Sequence, residues 1–358
     1  MAKRASRSRY FAGGLTAGLT CRRPFGNGRS LKRLRVVYLT RGGLFGALVL
    51  HRLRACRQIE ICGVVRSSRN FHPRFGFLRG ALAYIRSSGI AYSLYLLCAT
   101  TLADLVCAFG AVGGVPTPSR AGGPPVLTTP DINDPQALQF VRDCSPDLLV
   151  SAFFDQRLQE AALAIPSHGC VNIHPSLLPW FKGVDPVLQA QIQHGEMGVT
   201  LHYMTPKLDQ GEILSQRSPA IRPCASVFEA TALLYREGAE ILVAELARLK
   251  RREHGTPQQA AGSYQSWPSR TEVRALWAQG GRLIRFSDFS RLTRRRDLIH
   301  RPPVRLVHEA PNPLPGKAQA ETSASHDEKE VRSDLVEMAR PAGFEPATTG
   351  LEGRCSIP

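Results

Sequence analysis

The chain has 358 residues, enough for one large domain with appendages or for two of ordinary size. Hydrophobic residues make up 43% and charged residues 21%, which excludes wholesale disorder. The net charge is +17, but residues 1–34 hold nine Lys/Arg and no acid, so over half of the excess lies in the first tenth of the sequence. The middle is an ordinary near-neutral globular sequence, and its charge does not define a nucleic-acid-binding protein. The nine cysteines are odd in number and contain no CxxC pair, which argues against a disulfide framework and a zinc finger. That usage fits a reducing compartment, and a cytoplasmic location is expected.

Residues 1–33 read as a basic disordered leader, rich in Arg, Ser and Gly and without apolar periodicity. A wrongly chosen start codon and an organelle transit peptide are alternative readings, and no secretory h-region is present. Order is expected from Leu34. Arg35–Thr40 reads as a short buried strand, Arg41-Gly42-Gly43 as a turn, Leu44–Ala55 as a helix and Glu60–Val65 as a second strand. This is the pattern of a right-handed βαβ unit opening a parallel sheet.

Two helices are expected within residues 75–110. The second, Ile90–Phe109, is long enough to span a bilayer, but Asp104 and the lack of interface anchors favour a buried or amphipathic helix and no membrane association. Strands are then expected at Pro125–Thr129, Asp147–Phe154, Gly169–Ile173, Met197–Met204 and Glu212–Ile221. Helices are expected after Asp134-Pro135, over Gln156–Ala164, over Val184–His194, and from the Ser226-x-x-Glu229 capping box to about Lys250. The fold class is therefore α/β, Rossmann-like, with a mostly parallel sheet flanked by helices and disordered tails. Ligands in such sheets bind beyond the carboxyl ends of the strands, which points to the loops after residues 40, 154 and 173.

The loop after the fifth strand reads Asn172-Ile173-His174-Pro175-Ser176-Leu177-Leu178-Pro179, then Phe181-Lys182-Gly183. Asn172 and His174 are two apart and share one side of the strand end. They offer an amide donor and a titratable imidazole, suited to a developing oxyanion and a moving proton. A polar strand end capped by its own side chains fits the same spacing.

Asn-x-His-Pro-Ser-Leu-Leu-Pro with Phe-Lys-Gly resembles the signature of the folate-dependent formyltransferases. A second block resembles theirs too: Gly198-Val199-Thr200-Leu201-His202, then Leu208-Asp209-Gln210-Gly211-Glu212-Ile213-Leu214. The resemblance covers about residues 34–250, which it makes a catalytic domain like that of methionyl-tRNA formyltransferase. It implies Asn172, His174 and Asp209 as catalytic residues, with 10-formyltetrahydrofolate as formyl donor, an amine as acceptor and no metal. Asn172 and protonated His174 would stabilise the charge on the formyl oxygen, and Asp209 would hold His174. The folate contacts carried over are Gln156, Arg157, Leu158, Thr205 and Leu208. His202 matches a histidine of the glycinamide ribonucleotide branch and is read as a satisfied strand histidine.

The Gly-Asn-Gly-Ser-Asn phosphate cradle of that branch is absent from Thr40-Arg41-Gly42-Gly43-Leu44-Phe45-Gly46, which disfavours a nucleotide acceptor. The acceptor stays open between methionyl-tRNA and a small amine such as an amino sugar. A catalytically retired folate-binding member, or a protein binding nucleic acid through its basic ends, are the rival classes. Residues 251–300 read as a short extension with a Tyr-x-x-x-Pro-x-Arg piece at Tyr264–Arg270 and a helix near Thr271–Gln279. Residues 301–358 read as a disordered tail dispensable for the reaction. Its Gly343-Phe344-Glu345-Pro346 is the peptide encoded by the complement of a tRNA T-arm, so the end is expected to be antisense-tRNA translation.

Overall fold

A computed structural model describes residues 32–68, 85–102, 123–222, 224–259, 262–288 and 304–306. The remaining leader, most of the tail and the ends of the expected 75–110 helices lie outside these residues. The compact unit begins at Arg33.

The chain opens with β1 (Leu34–Thr40), α1 (Gly43–Ala55) and β2 (Ile59–Ser67). Val36 and Tyr38 fall in one apolar cluster and Val37 and Leu39 in the other, so β1 is buried on both faces. This is why its sequence is a continuous apolar run and not an alternating one. The remaining helices and strands are α2 (Ile90–Leu97, continued by a π-turn over Cys98–Leu102), β3 (Val126–Thr129), α3 (Pro135–Asp143), β4 (Leu148–Ala152), α4 (Glu160–Leu163) and β5 (Cys170–His174). Then come β6 (Lys182–Gly183), α5 (Pro186–Ile192), β7 (Val199–Tyr203), β8 (Ile213–Pro219) and α6 (Val227–Ala244). The described chain closes with α7 (Leu246–Arg251), β9 (Tyr264–Gln265), α8 (Arg270–Ala278) and β10 (Val304–Leu306).

Eight strands form one sheet in the order β10-β8-β7-β5-β4-β1-β2-β3. The pairs from β3 to β5 are parallel, and β7, β8 and β10 are added antiparallel. The Rossmann-like α/β expectation holds. The chain steps outward from β1 to β3 and then returns to β4 on the other side of β1. The carboxyl ends of β1 and β4 therefore flank a topological switch point, where ligands bind in open α/β sheets. Arg41 joins these two strand ends: its N–H donates to the Phe153 carbonyl at 2.7 Å, and its guanidinium meets Asp155 at 2.9 Å.

Several expectations differ in detail. The helix read over 156–164 shrinks to Glu160–Leu163, because Gln156 is held in the interior by its own side chain (below). The long helix after Ser226 breaks at Glu245. Ser226 accepts from the Glu229 N–H as a cap should, but the Glu229 carboxylate turns to Arg222 at 2.7 Å. A complete capping box stands instead at Ser269 and Glu272. The tail is not wholly without structure: Val304–Leu306 pairs with β8 as the sheet's edge. Three residues in a Pro- and Arg-flanked stretch carry no periodicity from which that strand could be read.

Candidate active site

Asn172 and His174 sit on β5, and their antiparallel partners on β7 are His202 and Thr200. Alternation along the strand puts all four side chains on one face. His174 is 5% exposed, more enclosed than a surface-loop histidine. Its Nε2 lies 2.9 Å from the Phe181 carbonyl. A carbonyl only accepts, so Nε2 carries the proton. Nδ1 faces Asp209 Oδ1 at 3.6 Å, an ion-pair distance but too long for a hydrogen bond.

Asp209 reaches this position from the turn between β7 and β8. Its φ is +53°, a left-handed conformation that Asp tolerates better than most residues. Gly211 makes the turn tight: a Cβ there would stand 1.8 Å from the Tyr203 carbonyl oxygen. The second Asp209 oxygen accepts from the Gly183 N–H at 3.0 Å. Gly183 belongs to β6, which pairs with β9, so the Tyr264–Gln265 stretch of the extension lies beside the site. Partial desolvation and then the Asp209 charge push the Tyr264 phenol up to about 12. Burial lowers the Lys182 ammonium from its ordinary value, and Asp209 opposes that shift.

The loop behind β5 is fixed by buried polar groups. Thr200 Oγ1 donates to the Ser176 carbonyl at 2.6 Å and accepts from the Leu178 N–H at 3.1 Å. Gln216 donates to the Leu178 carbonyl and to Thr200 Oγ1, each at 2.8 Å. Ser176 Oγ donates to the Phe181 carbonyl, the same oxygen that His174 engages. With these bonds made, the loop has little freedom to move His174.

The residues carried over as folate contacts divide. Gln156 is buried and spent: it accepts from the Ile132 N–H at 2.6 Å and donates to Ser67 Oγ at 2.8 Å and the Thr129 carbonyl at 3.0 Å. Leu158 is in the second apolar cluster. Neither side chain faces outward. Arg157 and Thr205 are exposed, and Leu208 is 42% exposed beside Asp209. Asn172, His174 and Asp209 are thus brought together. What sequence reasoning missed is the contact of His202 with Asn172, Nε2 to Nδ2 at 3.2 Å. Aligning the two antiparallel strands would have placed the pair opposite each other.

At the neighbouring strand end, Asp185 caps α5 by accepting from the Leu188 N–H at 3.3 Å and also accepts from the Tyr92 hydroxyl at 3.0 Å. Burial pushes its carboxyl up to about 6 against these two bonds. Among the described residues there is no group of three or more His, Cys, Asp or Glu able to hold a metal ion. Among them, too, no helix is long and apolar enough to cross a membrane.

A family model described as formyl transferase matches residues 118–246. Over that stretch, about a third of the chain, the sequence is similar to this family. It is similar to the methionyl-tRNA formyltransferase of Thermotoga neapolitana, at 35% identity over 39% of this chain and 46% of that one. It is similar to the methionyl-tRNA formyltransferase of Neisseria meningitidis, at 34% identity over 42% of this chain and 51% of that one. The matches therefore span about half the length of these relatives. A solved sugar N-formyltransferase from Shewanella sp FDAARGOS_354 aligns over 65% of this chain and 76% of its own, with 16% identity and a TM-score of 0.42.

Proposed function

We propose that this chain transfers a formyl group from 10-formyltetrahydrofolate to an amine, with methionyl-tRNA as the acceptor. The observation that carries the proposal is the meeting of Asn172, His174 and Asp209 at one strand end, with His174 Nδ1 facing the carboxylate at 3.6 Å. The acceptor nitrogen attacks the formyl carbon, and negative charge develops on the formyl oxygen. Asn172 donates an N–H to that oxygen. His174, its Nε2–H anchored on Phe181, uses Nδ1 for the oxyanion and for the proton that leaves the amine. The C–N10 bond then breaks, N10 takes a proton, and tetrahydrofolate and the formamide are released. Asp209 holds the imidazolium electrostatically. Arg157, Thr205 and Leu208, with main-chain groups of their loops, are the folate contacts we retain. Gln156 and Leu158 are left a supporting role behind the loop.

Methionyl-tRNA is favoured over an amino sugar by the relatives of that name. A ribonucleotide acceptor is disfavoured by the mouth of α1, where a phosphate would sit on helix N–H groups. Gly42 through Gly46 are buried, and a Cβ on Gly43 would meet the Ala99 carbonyl oxygen at 2.6 Å. That helix end is occupied by backbone of the π-turn. The four arginines of Arg291–Arg296 and the basic leader are the tRNA contacts this acceptor would use. The protein is assigned to the cytoplasm, where these substrates meet. The test is incubation with formyl-labelled 10-formyltetrahydrofolate and a panel of methionyl-tRNA, nucleotide-linked amino sugars and glycinamide ribonucleotide. Label on methionyl-tRNA alone is expected. Label on an amino sugar instead would move the acceptor, and label on none would leave a retired folate-binding member of the family.

A further inference from the structure

The role of Asn172 depends on which end of its amide faces the formyl oxygen, and a second histidine sets that choice. His202 is 2% exposed on β7, directly opposite Asn172. Its Nδ1 lies 2.8 Å from the Tyr203 carbonyl, which only accepts, so Nδ1 carries the ring proton. The ring is neutral: desolvation lowers it to about 4, Asp209 opposing and His174 reinforcing the shift. Nε2 is then purely an acceptor, and Asn172 Nδ2 stands 3.2 Å from it. The amide must present its NH2 group to His202. One N–H is used there, the second is left to donate, and the amide oxygen is turned away. The β7–β8 register shifts between Leu201 and His202, a bulge of the kind that re-aims a side chain beside a site.

We propose that His202 is a positioning residue for formyl transfer, holding the Asn172 amide in the one orientation that offers an N–H to the developing oxyanion. The proposal rests on the formyltransferase reading above. Without an acceptor at this place the amide is free to rotate by half a turn, and one of its two orientations puts a carbonyl dipole against negative charge.

The test is a set of variants assayed for kcat and KM and for the Asn172 side-chain NH2 cross-peaks in nitrogen-15 spectra. His202→Leu is expected to lower kcat about 10- to 100-fold with the folate KM changed less than about twofold. His202→Gln, which restores an acceptor oxygen, is expected to recover most of the rate. In an Asn172→Ala background His202→Leu is expected to cost nothing further, because its effect passes through Asn172. The NH2 cross-peaks should move in His202→Leu and return in His202→Gln. A His202→Leu protein with wild-type kcat, or a loss that multiplies with that of Asn172→Ala, overturns the proposal. If His202→Leu does not fold, a His202→Gln protein with intact fold and unmoved kcat and cross-peaks supports it, and one with kcat and cross-peaks both lost overturns it. Wild-type protein inactive on every acceptor counts against the function instead. Cross-peaks indifferent to His202→Leu would even then refute the positioning.

Discussion

The backbone N–H of Gly183 donates to Asp209 Oδ2 at 3.0 Å, and Gly183 can do so because its φ of +113° lets the Gln265 backbone pass where a side chain would stand. A Cβ at Gly183 would lie 1.9 Å from the Gln265 carbonyl oxygen. Gly183→Ala is therefore expected to dislodge β9 and loosen Asp209 together. Formyl transfer should fall by at least about tenfold, and the Val184 amide, bonded to Gln265 at 3.0 Å, should lose its protection from hydrogen exchange. Wild-type protection at Val184 would show that the strand pair does not depend on this glycine.

His174 and Asp209 should separate chemistry from folding only in part. His174→Ala is expected to remove about 3–4 kcal/mol of transition-state stabilisation. Because the ring is buried and bonded to Phe181, the same change should also lower stability, by about 1–3 kcal/mol. Asp209→Asn keeps a carbonyl acceptor for Gly183 and should cripple turnover with little change in melting. An Asp209→Asn protein of near-normal rate would take the carboxylate out of the mechanism.

Asp185 and His202 should tilt stability with pH in opposite directions. The Asp185 carboxyl is raised to about 6, so the folded chain holds its proton longer than the unfolded chain does, and its contribution is lost as pH rises through about 6. His202 is lowered to about 4, so the unfolded chain takes a proton first, and stability is lost as pH falls from the ordinary histidine value toward 4. Asp185→Asn retains a cap and a partner for Tyr92 but removes the first tilt. Denaturant unfolding at pH 5 and 7.5 should find the variant gaining on wild type at the higher pH by about 1–3 kcal/mol. A gap that does not change with pH would contradict this.

The chain beyond the main sheet should matter in steps. Asp288 is fully buried and binds Ser226 Oγ at 2.5 Å and the Arg285 N–H at 2.7 Å. The Val227 and Phe228 N–H groups at the mouth of α6 bond to the Arg282 and Leu283 carbonyls at 2.9 Å. Asp288→Ala is expected to cost about 1–3 kcal/mol in denaturant unfolding. A chain ending at His300 keeps this clasp but loses β10. It should retain formyl transfer to methionyl-tRNA at slightly reduced stability, and a chain ending near Ala310 should match full length. Loss of activity in both would place the domain boundary further on.

The parallel half of the sheet was legible because its strands are buried on both faces and read as apolar runs, as at Arg35–Thr40 and Asp147–Phe154. Asn172, His174 and Asp209 were legible as motif positions, and their convergence follows from β5 and β7 being neighbours. Gln156 was read as a folate contact from its motif position, which does not say where a side chain points. Its three interior bonds are long-range and leave no local trace. His202 was set aside as a strand histidine, since its bond to Asn172 spans 30 residues of sequence and depends on a register that only pairing reveals. The two-residue strands β6 and β9 are too short for any period to show.

In the proposed reaction Asn172, His174 and Asp209 together move a formyl group from folate to an amine. The most direct measurement is single-turnover transfer of labelled formyl from 10-formyltetrahydrofolate to methionyl-tRNA by the wild type, Asn172→Ala, His174→Ala, Asp209→Asn and the triple variant. Each single variant is expected to lose at least about a hundredfold, and the triple to be little slower than the worst single, as for residues that act as one unit. Transfer by the triple variant at the wild-type rate, in protein that is folded, would contradict the assignment of this strand end as the site of the reaction.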